Sequence, residues 1–206
     1  MVEFIIKENI IEKVTGKAIP KPANDQNTDD IIPARFMKEI TFANMGKYVY
    51  FDERNKEGKE VLEHPFNDPK FSGGNILVAG ANYGCGSSRE HAPQALYRYG
   101  IRAIIAESFA EIFAGNCASL GVVGATIPKI EIAPLIDFLA TNPTNQVTID
   151  IKEKKVKYGD KEVALEMLEG RRQSFLNGTY DALTILQQNK VGIASVEQKL
   201  PYLHFK

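Results

Sequence analysis

The stretch "NILVAGANYGCGSSREHAPQALYRYG", residues 75–100, joins an apolar run to an amphipathic segment through a turn rich in glycine and serine. The run "NILVAG" has the length and composition of a buried strand, and the segment from Ser87 has the spacing of a helix that ends at a glycine. Ser87 and Glu90 also have the S-x-x-E spacing of a capping box. The stretch therefore predicts a strand, a turn and a helix in succession.

The same pattern continues along the chain. The apolar runs "RAIIAES" (102–108) and "GVVGATI" (121–127) flank the segment "SFAEIFAGNCASLG" (108–121), which again begins with serine and ends with glycine. Short apolar runs separated by helical segments indicate buried parallel strands. The order βαβαβ predicts an α/β fold, with right-handed connections and helices packed on a mainly parallel sheet.

Turn residues and periodicity assign the remaining segments. The alternating run "QVTIDI" (146–151) and the segment "KVKYGDKEVAL" (155–165), with its glycine-aspartate turn, predict a small antiparallel hairpin. Residues 179–200 have helical spacing. Residues 17–35 are rich in proline, asparagine and aspartate, and we expect an ordered loop because Ile31 and Ile32 require burial.

Composition favours one domain over residues 1–206, since a chain of 206 residues with 44% hydrophobic residues can bury one sizeable core. The 25 basic and 26 acidic residues nearly balance, so we expect no binding to nucleic acid or to an anionic membrane. No cationic start precedes an apolar run, and no run reaches the ~20 residues that span a bilayer. These features predict a soluble, cytoplasmic protein.

The glycine-rich turn itself predicts an anion site. Gly84 and Gly86 leave backbone N–H groups accessible, the helix start adds partial positive charge, and Arg89 offers two parallel donors to a carboxylate. A dinucleotide-binding fingerprint would require glycine in place of Arg89. We therefore expect a small polycarboxylate ligand.

Two alternatives stay open for this turn. Ser108 and Glu111 repeat the S-x-x-E pattern without the two glycines and the arginine, so capping would explain the serine of the first turn and not its other residues. A nucleophile pair of Cys85 and His91 is the second alternative, although six residues across a turn need not bring the two side chains together.

Several segments together resemble a known family. "GCGSSREHAPQAL" followed by "GIRAIIAESFAEIFAGNC", with "NTDDIIPARFM" upstream and the weaker "FLNGTYDALTILQQ" near the end, resembles the small subunit of bacterial 3-isopropylmalate dehydratase. That family is related to the mobile C-terminal domain of aconitase, and the resemblance runs from about Phe4 to the C-terminus. It implies the swivelling-domain fold, with three layers and a central, mainly parallel sheet. It also implies a hydro-lyase of leucine biosynthesis that interconverts 2-isopropylmalate and 3-isopropylmalate by dehydration and rehydration.

The resemblance implies roles for the residues of the turn. Ser87 matches the proton-abstracting serine of the family, which would act as an alkoxide stabilised by backbone amides and Arg89. Ser88 and Arg89 match groups that hold substrate carboxylates. Gly84 and Gly86 would supply the backbone of this anion turn.

The upstream segment has implied roles as well. Thr28, Asp29 and Arg35 are expected to bind substrate, and an Asx or Ser/Thr turn is the alternative role for the first two. Asn27 departs from the aspartate that is usual in relatives. The loop expected to select the variable group of the substrate contains Phe36, Met37 and Lys38.

Cysteine content predicts that this chain binds no metal and no cofactor. A 4Fe–4S cluster requires about three or four thiolates, and the chain has only Cys85 and Cys117. The histidines are scattered at positions 64, 91 and 204. The resemblance therefore implies a large partner subunit that carries the cluster. Two further functions stay open, namely a related hydro-lyase for homoaconitate, citraconate, methylmalate or dimethylmalate, and a stand-alone anion- or nucleotide-binding module.

Overall fold

The structure is a computed structural model that describes residues 6–200 and Tyr202. Phe4, where the resemblance begins, and His204 lie outside the described residues. The prediction of one domain over residues 1–206 therefore stays a prediction.

A seven-stranded sheet forms the centre of the fold. The strands of the described chain are β1 (Lys13–Lys21), β2 (Asn55–Lys56), β3 (Lys59–Glu60), β4 (Ile76–Ala79), β5 (Ala103–Ala106), β6 (Val123–Thr126), β7 (Gln146–Asp150), β8 (Lys155–Tyr158) and β9 (Lys161–Ala164). Strands β2 and β3 pair with each other, and the others form the sheet in the order β6-β5-β4-β1-β7-β8-β9. Strands β6, β5, β4 and β1 are parallel, and the antiparallel pairs beyond β1 leave β7 and β9 running in the opposite direction.

Helices connect and cover these strands. They are α1 (Thr28–Ile31), α2 (Phe51–Arg54), α3 (His91–Tyr99), α4 (Glu111–Ser119), α5 (Lys129–Thr141), α6 (Glu169–Asn177), α7 (Ala182–Gln188) and α8 (Lys190–Glu197). Short 3-10 helices lie at Lys7–Asn9, Ala34–Lys38, Phe42–Tyr48 and Pro69–Phe71. None of the described helices has both the length and the apolar character needed to cross a membrane.

Consecutive residues of the central strands pack into opposite layers. Ile76 and Val78 of β4 lie in one hydrophobic core with residues of α5 and α6. Leu77 and Ala79 lie in a second core with residues of α3 and α4. Because both faces of β4 are covered, all four of its residues are buried, and this explains its continuous apolar sequence. The predicted three-layer α/β fold is confirmed.

Several boundaries differ from the predictions. The small antiparallel hairpin predicted from residues 146–151 and 155–165 forms as three antiparallel strands, β7, β8 and β9, and these belong to the main sheet because β7 pairs with β1. The loop predicted over residues 17–35 is wrong at its start, where residues 17–21 belong to β1, and near its end, where Thr28–Ile31 form α1. This strand pairs with β7 along its first half and with β4 along its second, so its backbone is paired despite its polar residues. Ile31 and Ile32 are fully buried, as predicted.

The topology brings three loops to one edge of the sheet. Strands β1, β4 and β5 are parallel neighbours, so the loops that follow them, residues 22–27, 80–90 and 107–110, begin at the same edge. Ligand sites of α/β proteins lie at the carboxyl ends of parallel strands. The predicted anion turn is the middle loop of the three.

Candidate active site

Backbone hydrogen bonds hold the glycine-rich turn from both sides. The Gly84 N–H donates to the carbonyl of Gln26 (2.8 Å) on the loop after β1, and the Tyr83 N–H donates to the carbonyl of Ser108 (3.0 Å) on the loop after β5. Tyr83 is fully buried, and its hydroxyl lies 2.6 Å from the hydroxyl of Tyr50. The two neighbouring loops therefore fix the path of the turn.

Both predicted glycines have a backbone conformation that favours glycine. The φ angle is +80° at Gly84 and +94° at Gly86. A Cβ on Gly84 would lie 2.1 Å from the ring of Phe113, whereas a Cβ on Gly86 would lie 3.4 Å from the Cβ of Asn27. Gly84 is thus required for close packing against α4, and Gly86 presents an exposed stretch of backbone.

The sequence "NTDD" folds as the capped first turn of α1, opposite the glycine-rich turn. The Asn27 side-chain oxygen accepts hydrogen bonds from the N–H groups of Asp29 (2.7 Å) and Asp30 (2.9 Å). The Asp30 carboxylate accepts in return from the Asn27 N–H (2.9 Å). This is a reciprocal capping box, so Asn27 has a local structural role.

Thr28 joins this helix to the turn. Its N–H donates to the Cys85 carbonyl (2.9 Å), and its hydroxyl donates to the Ser87 carbonyl (3.1 Å). The side chain is buried between the two loops. Thr28 therefore fixes the backbone at Ser87.

Neither predicted serine cap is present, so both S-x-x-E capping boxes are wrong. Helix α3 begins at His91 and α4 begins at Glu111, and no side chain caps either helix. The Ser87 carbonyl accepts a hydrogen bond from the Thr28 hydroxyl of α1, and α3 begins four residues later at His91. The Ser108 hydroxyl instead accepts from the Asn82 N–H (2.8 Å). Ser87 is half-buried in the turn and is not used as a cap.

Cys85 and His91 have different partners. The Cys85 thiol donates to the Asp25 carbonyl (3.3 Å), and burial raises the pKa of this thiol. The His91 ring lies edge-on to Phe42, with ring centroids 5.4 Å apart. Because a raised pKa keeps the thiol protonated, this geometry gives no support to a nucleophile pair.

Arg89 reaches from the turn to the upstream segment. Its Nη1 lies 3.1 Å from the Asp29 carboxylate and 2.8 Å from the Met37 sulfur. The side chain is 37% exposed, and Ser88 beside it is exposed. The structure thus brings Arg89, Asp29 and Met37 together beside Ser87 and Ser88.

The other residues of the upstream segment have separate contacts. Arg35 forms a bidentate ion pair with Asp52, Phe36 stacks on Tyr48, and Lys38 is exposed. The role predicted for Arg35 as a substrate ligand stays a prediction. Asp52 and Tyr48 had no distinguishing sequence signal, because "YVYFDER" contains no motif and lies outside the segments that carry the resemblance.

The two thiols do not fit an iron–sulfur cluster. Cys117 is buried inside α4, and burial raises the pKa of its thiol, whereas Cys85 lies at the turn with Asp25 as its partner. A cluster needs about three or four thiolates. Within residues 6–200, the structure contains no group of three or more histidine, cysteine or acidic side chains that could bind a metal ion together.

Comparisons with known proteins agree with this architecture. Residues 8–129 match the family model described as the aconitase C-terminal domain. The chain is 42% identical to the 3-isopropylmalate dehydratase small subunit of Synechocystis sp., with 95% of this chain and 96% of the relative covered. It is 40% identical to the subunit of the same name from Thermus thermophilus, with 94% and 98% covered.

A solved structure agrees as well. The crystal structure of a 3-isopropylmalate dehydratase from Methanocaldococcus jannaschii superimposes with a TM-score of 0.66 at 25% identity, and covers 89% of this chain and 98% of that chain. The matches in sequence extend over nearly the whole chain and include both loops of the candidate site. The chain therefore belongs to the family of 3-isopropylmalate dehydratase small subunits, and its residues 8–129 belong to the aconitase C-terminal domain family.

Proposed function

We propose that this chain is the small subunit of a hydro-lyase that interconverts 2-isopropylmalate and 3-isopropylmalate. The observation that carries the proposal is the arrangement of the turn, in which Ser87 is fixed beside Arg89 by Thr28 and the loop after β1. The net reaction removes a proton from one carbon and a hydroxyl from its neighbour as water, and then adds water in the opposite sense. Such a reaction requires a base and a site for carboxylates.

Ser87 is the proposed base. Its alkoxide would take the proton from the substrate carbon, and the electron pair of the C–H bond would form the double bond as the C–O bond on the neighbouring carbon breaks. The departing hydroxyl and the proton taken up by Ser87 together make the water of the net reaction. A serine hydroxyl is a weak acid, so its anion needs a strongly polarised site. The exposed backbone at Gly86 and the Arg89 guanidinium would supply positive potential there, whereas α3 begins only at His91.

Arg89 and Ser88 are the proposed ligands of the substrate carboxylates. A guanidinium can donate two parallel hydrogen bonds to a carboxylate, and Ser88 is exposed beside it. In the free chain, the Asp29 carboxylate contacts the Arg89 guanidinium. Because the Asp29 side chain is 52% exposed, a substrate carboxylate could compete with it for Arg89. In this proposal, Thr28 and Asp29 act by positioning Ser87 and Arg89.

A large partner subunit completes the proposed enzyme. The names of the relatives describe small subunits, and the two thiols of this chain do not fit a cluster. We therefore place a 4Fe–4S cluster, which supplies Lewis acid chemistry when bound, on the large subunit. Related hydro-lyases for homoaconitate, citraconate, methylmalate or dimethylmalate would need the same partner and the same turn.

Reconstitution tests this proposal. The chain would be combined anaerobically with candidate large subunits and assayed with a panel of substituted malates. We expect no turnover and no stoichiometric iron or sulfide in the isolated chain, and turnover of isopropylmalate in the reconstituted enzyme. Faster turnover of another substituted malate would replace the substrate and keep the reaction class. Tight binding of nucleotides by the chain alone, without turnover in any combination, would contradict the proposal.

A further inference from the structure

Contacts with other parts of the chain hold both ends of Arg35–Glu39, the segment expected to select the variable group of the substrate. At the start, the Arg35 guanidinium donates two hydrogen bonds to the Asp52 carboxylate, one of them 2.9 Å long. At the end, the Tyr48 hydroxyl donates to the Glu39 carboxylate (3.0 Å). Asp52 is the second residue of α2, and Tyr48 ends the preceding 3-10 helix.

Aromatic contacts with Tyr48 and Phe51 also hold this segment. The Phe36 ring stacks on the Tyr48 ring with centroids 4.0 Å apart and 7° between the planes, and it meets the Phe51 ring edge-on at 5.0 Å. The Arg35 guanidinium lies 4.7 Å from the Phe36 centroid. Phe36 is therefore occupied by contacts within the protein, and Met37 is the apolar residue that contacts Arg89.

We infer that Asp52 and Tyr48 are positioning residues, which set the substrate preference by holding Arg35–Glu39 so that Met37 lies against Arg89. The identity of the substrate in this inference rests on the proposed function. A substrate whose carboxylate is bound by Arg89 would then carry its variable group against Met37. In this arrangement, Arg35 anchors the start of the segment through its ion pair with Asp52, and it does not need to contact the substrate.

Arg35 and Asp52 are both charged at neutral pH. The hydrogen bond from Arg35 lowers the pKa of the Asp52 carboxyl, and Arg35 keeps its proton. The planar guanidinium also combines the bidentate ion pair with stacking on Phe36, which lysine could not reproduce. This combination restrains the direction of the backbone where the selecting segment begins.

Hydrogen exchange of the isolated chain tests the positioning directly, whatever the substrate is. Asp52→Asn and Tyr48→Phe should each raise the exchange rates of amides in residues 34–40 about two- to fivefold, the range expected for loss of an exposed polar contact. Asp52→Glu should restore part of the protection. Glu162→Gln is the matched control, because it removes an exposed carboxylate that contacts Lys155 and Lys157 on the distant β8–β9 hairpin.

Kinetics of the reconstituted enzyme test the effect on substrate preference. Asp52→Asn should raise KM for isopropylmalate roughly fivefold with kcat changed less than about twofold, the pattern of lost binding. The preference for isopropylmalate over unsubstituted malate should fall by a similar factor, because malate has no group to meet Met37. A merely structural role would leave this preference unchanged.

Two results would overturn the inference. One is an amide exchange rate in residues 34–40 that is the same in Asp52→Asn as in Glu162→Gln. The other is a change in exchange with no change in substrate preference. If the wild-type enzyme fails to act on any substituted malate, the proposed function fails, and the exchange measurement still decides whether Asp52 and Tyr48 hold the segment.

Discussion

Replacing Gly84 by alanine should destabilise the protein for two separable reasons. The φ angle of +80° places the residue in the left-handed region, which costs an alanine about 1–2 kcal/mol. The new Cβ would also lie 2.1 Å from the ring of Phe113, far inside the 3.5–4.0 Å of an ordinary carbon contact. Because Phe113 is buried, relief requires a shift of the turn or the ring, at about 1–3 kcal/mol. The expected loss is therefore about 2–5 kcal/mol.

Gly58→Ala is the matched control for the backbone term. Gly58 has a φ angle of +76°, and a Cβ there would meet no atom within 4 Å. Gly58→Ala should therefore lose only the stability that a left-handed backbone costs an alanine, about 1–2 kcal/mol. The free energies of unfolding of the two variants in urea should then differ by about 1–3 kcal/mol. Introducing Phe113→Ala should reduce the loss caused by Gly84→Ala, because alanine lacks the Cγ, Cδ1 and Cδ2 atoms that lie 2.1, 2.4 and 2.5 Å from the new Cβ. Equal losses at Gly84 and Gly58, or no dependence on Phe113, would refute the proposed overlap.

Three further predictions concern the two loops and their support. Asn27→Ala should lower the free energy of unfolding by about 1–2 kcal/mol because it removes the cap of α1, whereas Asn27→Asp should keep most of the stability that the cap provides. Urea unfolding of both variants measures this difference. The nitrogens of His64 and Lys21 lie 3.7 and 2.8 Å from the Glu53 carboxylate, and these two residues lower the pKa of Glu53 from 4.5 to about 2. Because this pKa is lower in the folded protein, the Glu53 carboxylate stabilises the protein above about pH 4.5, and its contribution is lost as the pH falls towards 2. Allowing for solvent screening at 39% exposure, Glu53→Gln should cost about 1–2 kcal/mol at pH 7 and almost nothing at pH 2, and a constant difference across urea titrations at several pH values would contradict this. Lys38→Ala, at an exposed position, should change isopropylmalate turnover less than about tenfold, and a larger loss would show that the segment recognises charge.

The centre of the fold could be predicted because its sequence pattern is local. Strands β4 and β5 are buried on both faces and have continuous apolar sequences, and the helix between them, α3, ends at Gly100. Strand β1 could not be predicted in the same way. Its sequence "KVTGKAIPK" mixes polar residues, glycine and proline, and its strand conformation depends on pairing with β4 and β7, which lie far away along the chain.

The candidate site was predictable in part. Gly84, Gly86 and Arg89 were identified from the turn by their residue types, but the accessible N–H expected at Gly84 is absent, because this group donates to the Gln26 carbonyl and Gly84 serves close packing against Phe113. The capping boxes were wrong, because the S-x-x-E spacing could not show that Ser87 lies in a turn bonded to Thr28, or that the Ser108 hydroxyl accepts from the Asn82 N–H. The contacts of Arg35 could not be predicted either, since they depend on a fold that brings residues 17 positions apart together.

The turnover of Ser87→Ala in the reconstituted enzyme tests the central claim most directly. Ser108→Ala is its control, because it removes a serine hydroxyl that accepts one hydrogen bond from Asn82 at the same edge of the sheet. Both variants should fold and assemble with the large subunit. Loss of a positioned base predicts that Ser87→Ala falls in kcat by about 10²–10⁴, while Ser108→Ala stays within about tenfold of the wild type. A folded and assembled Ser87→Ala enzyme whose kcat is within about tenfold of that of Ser108→Ala would contradict the assignment of Ser87 as the base.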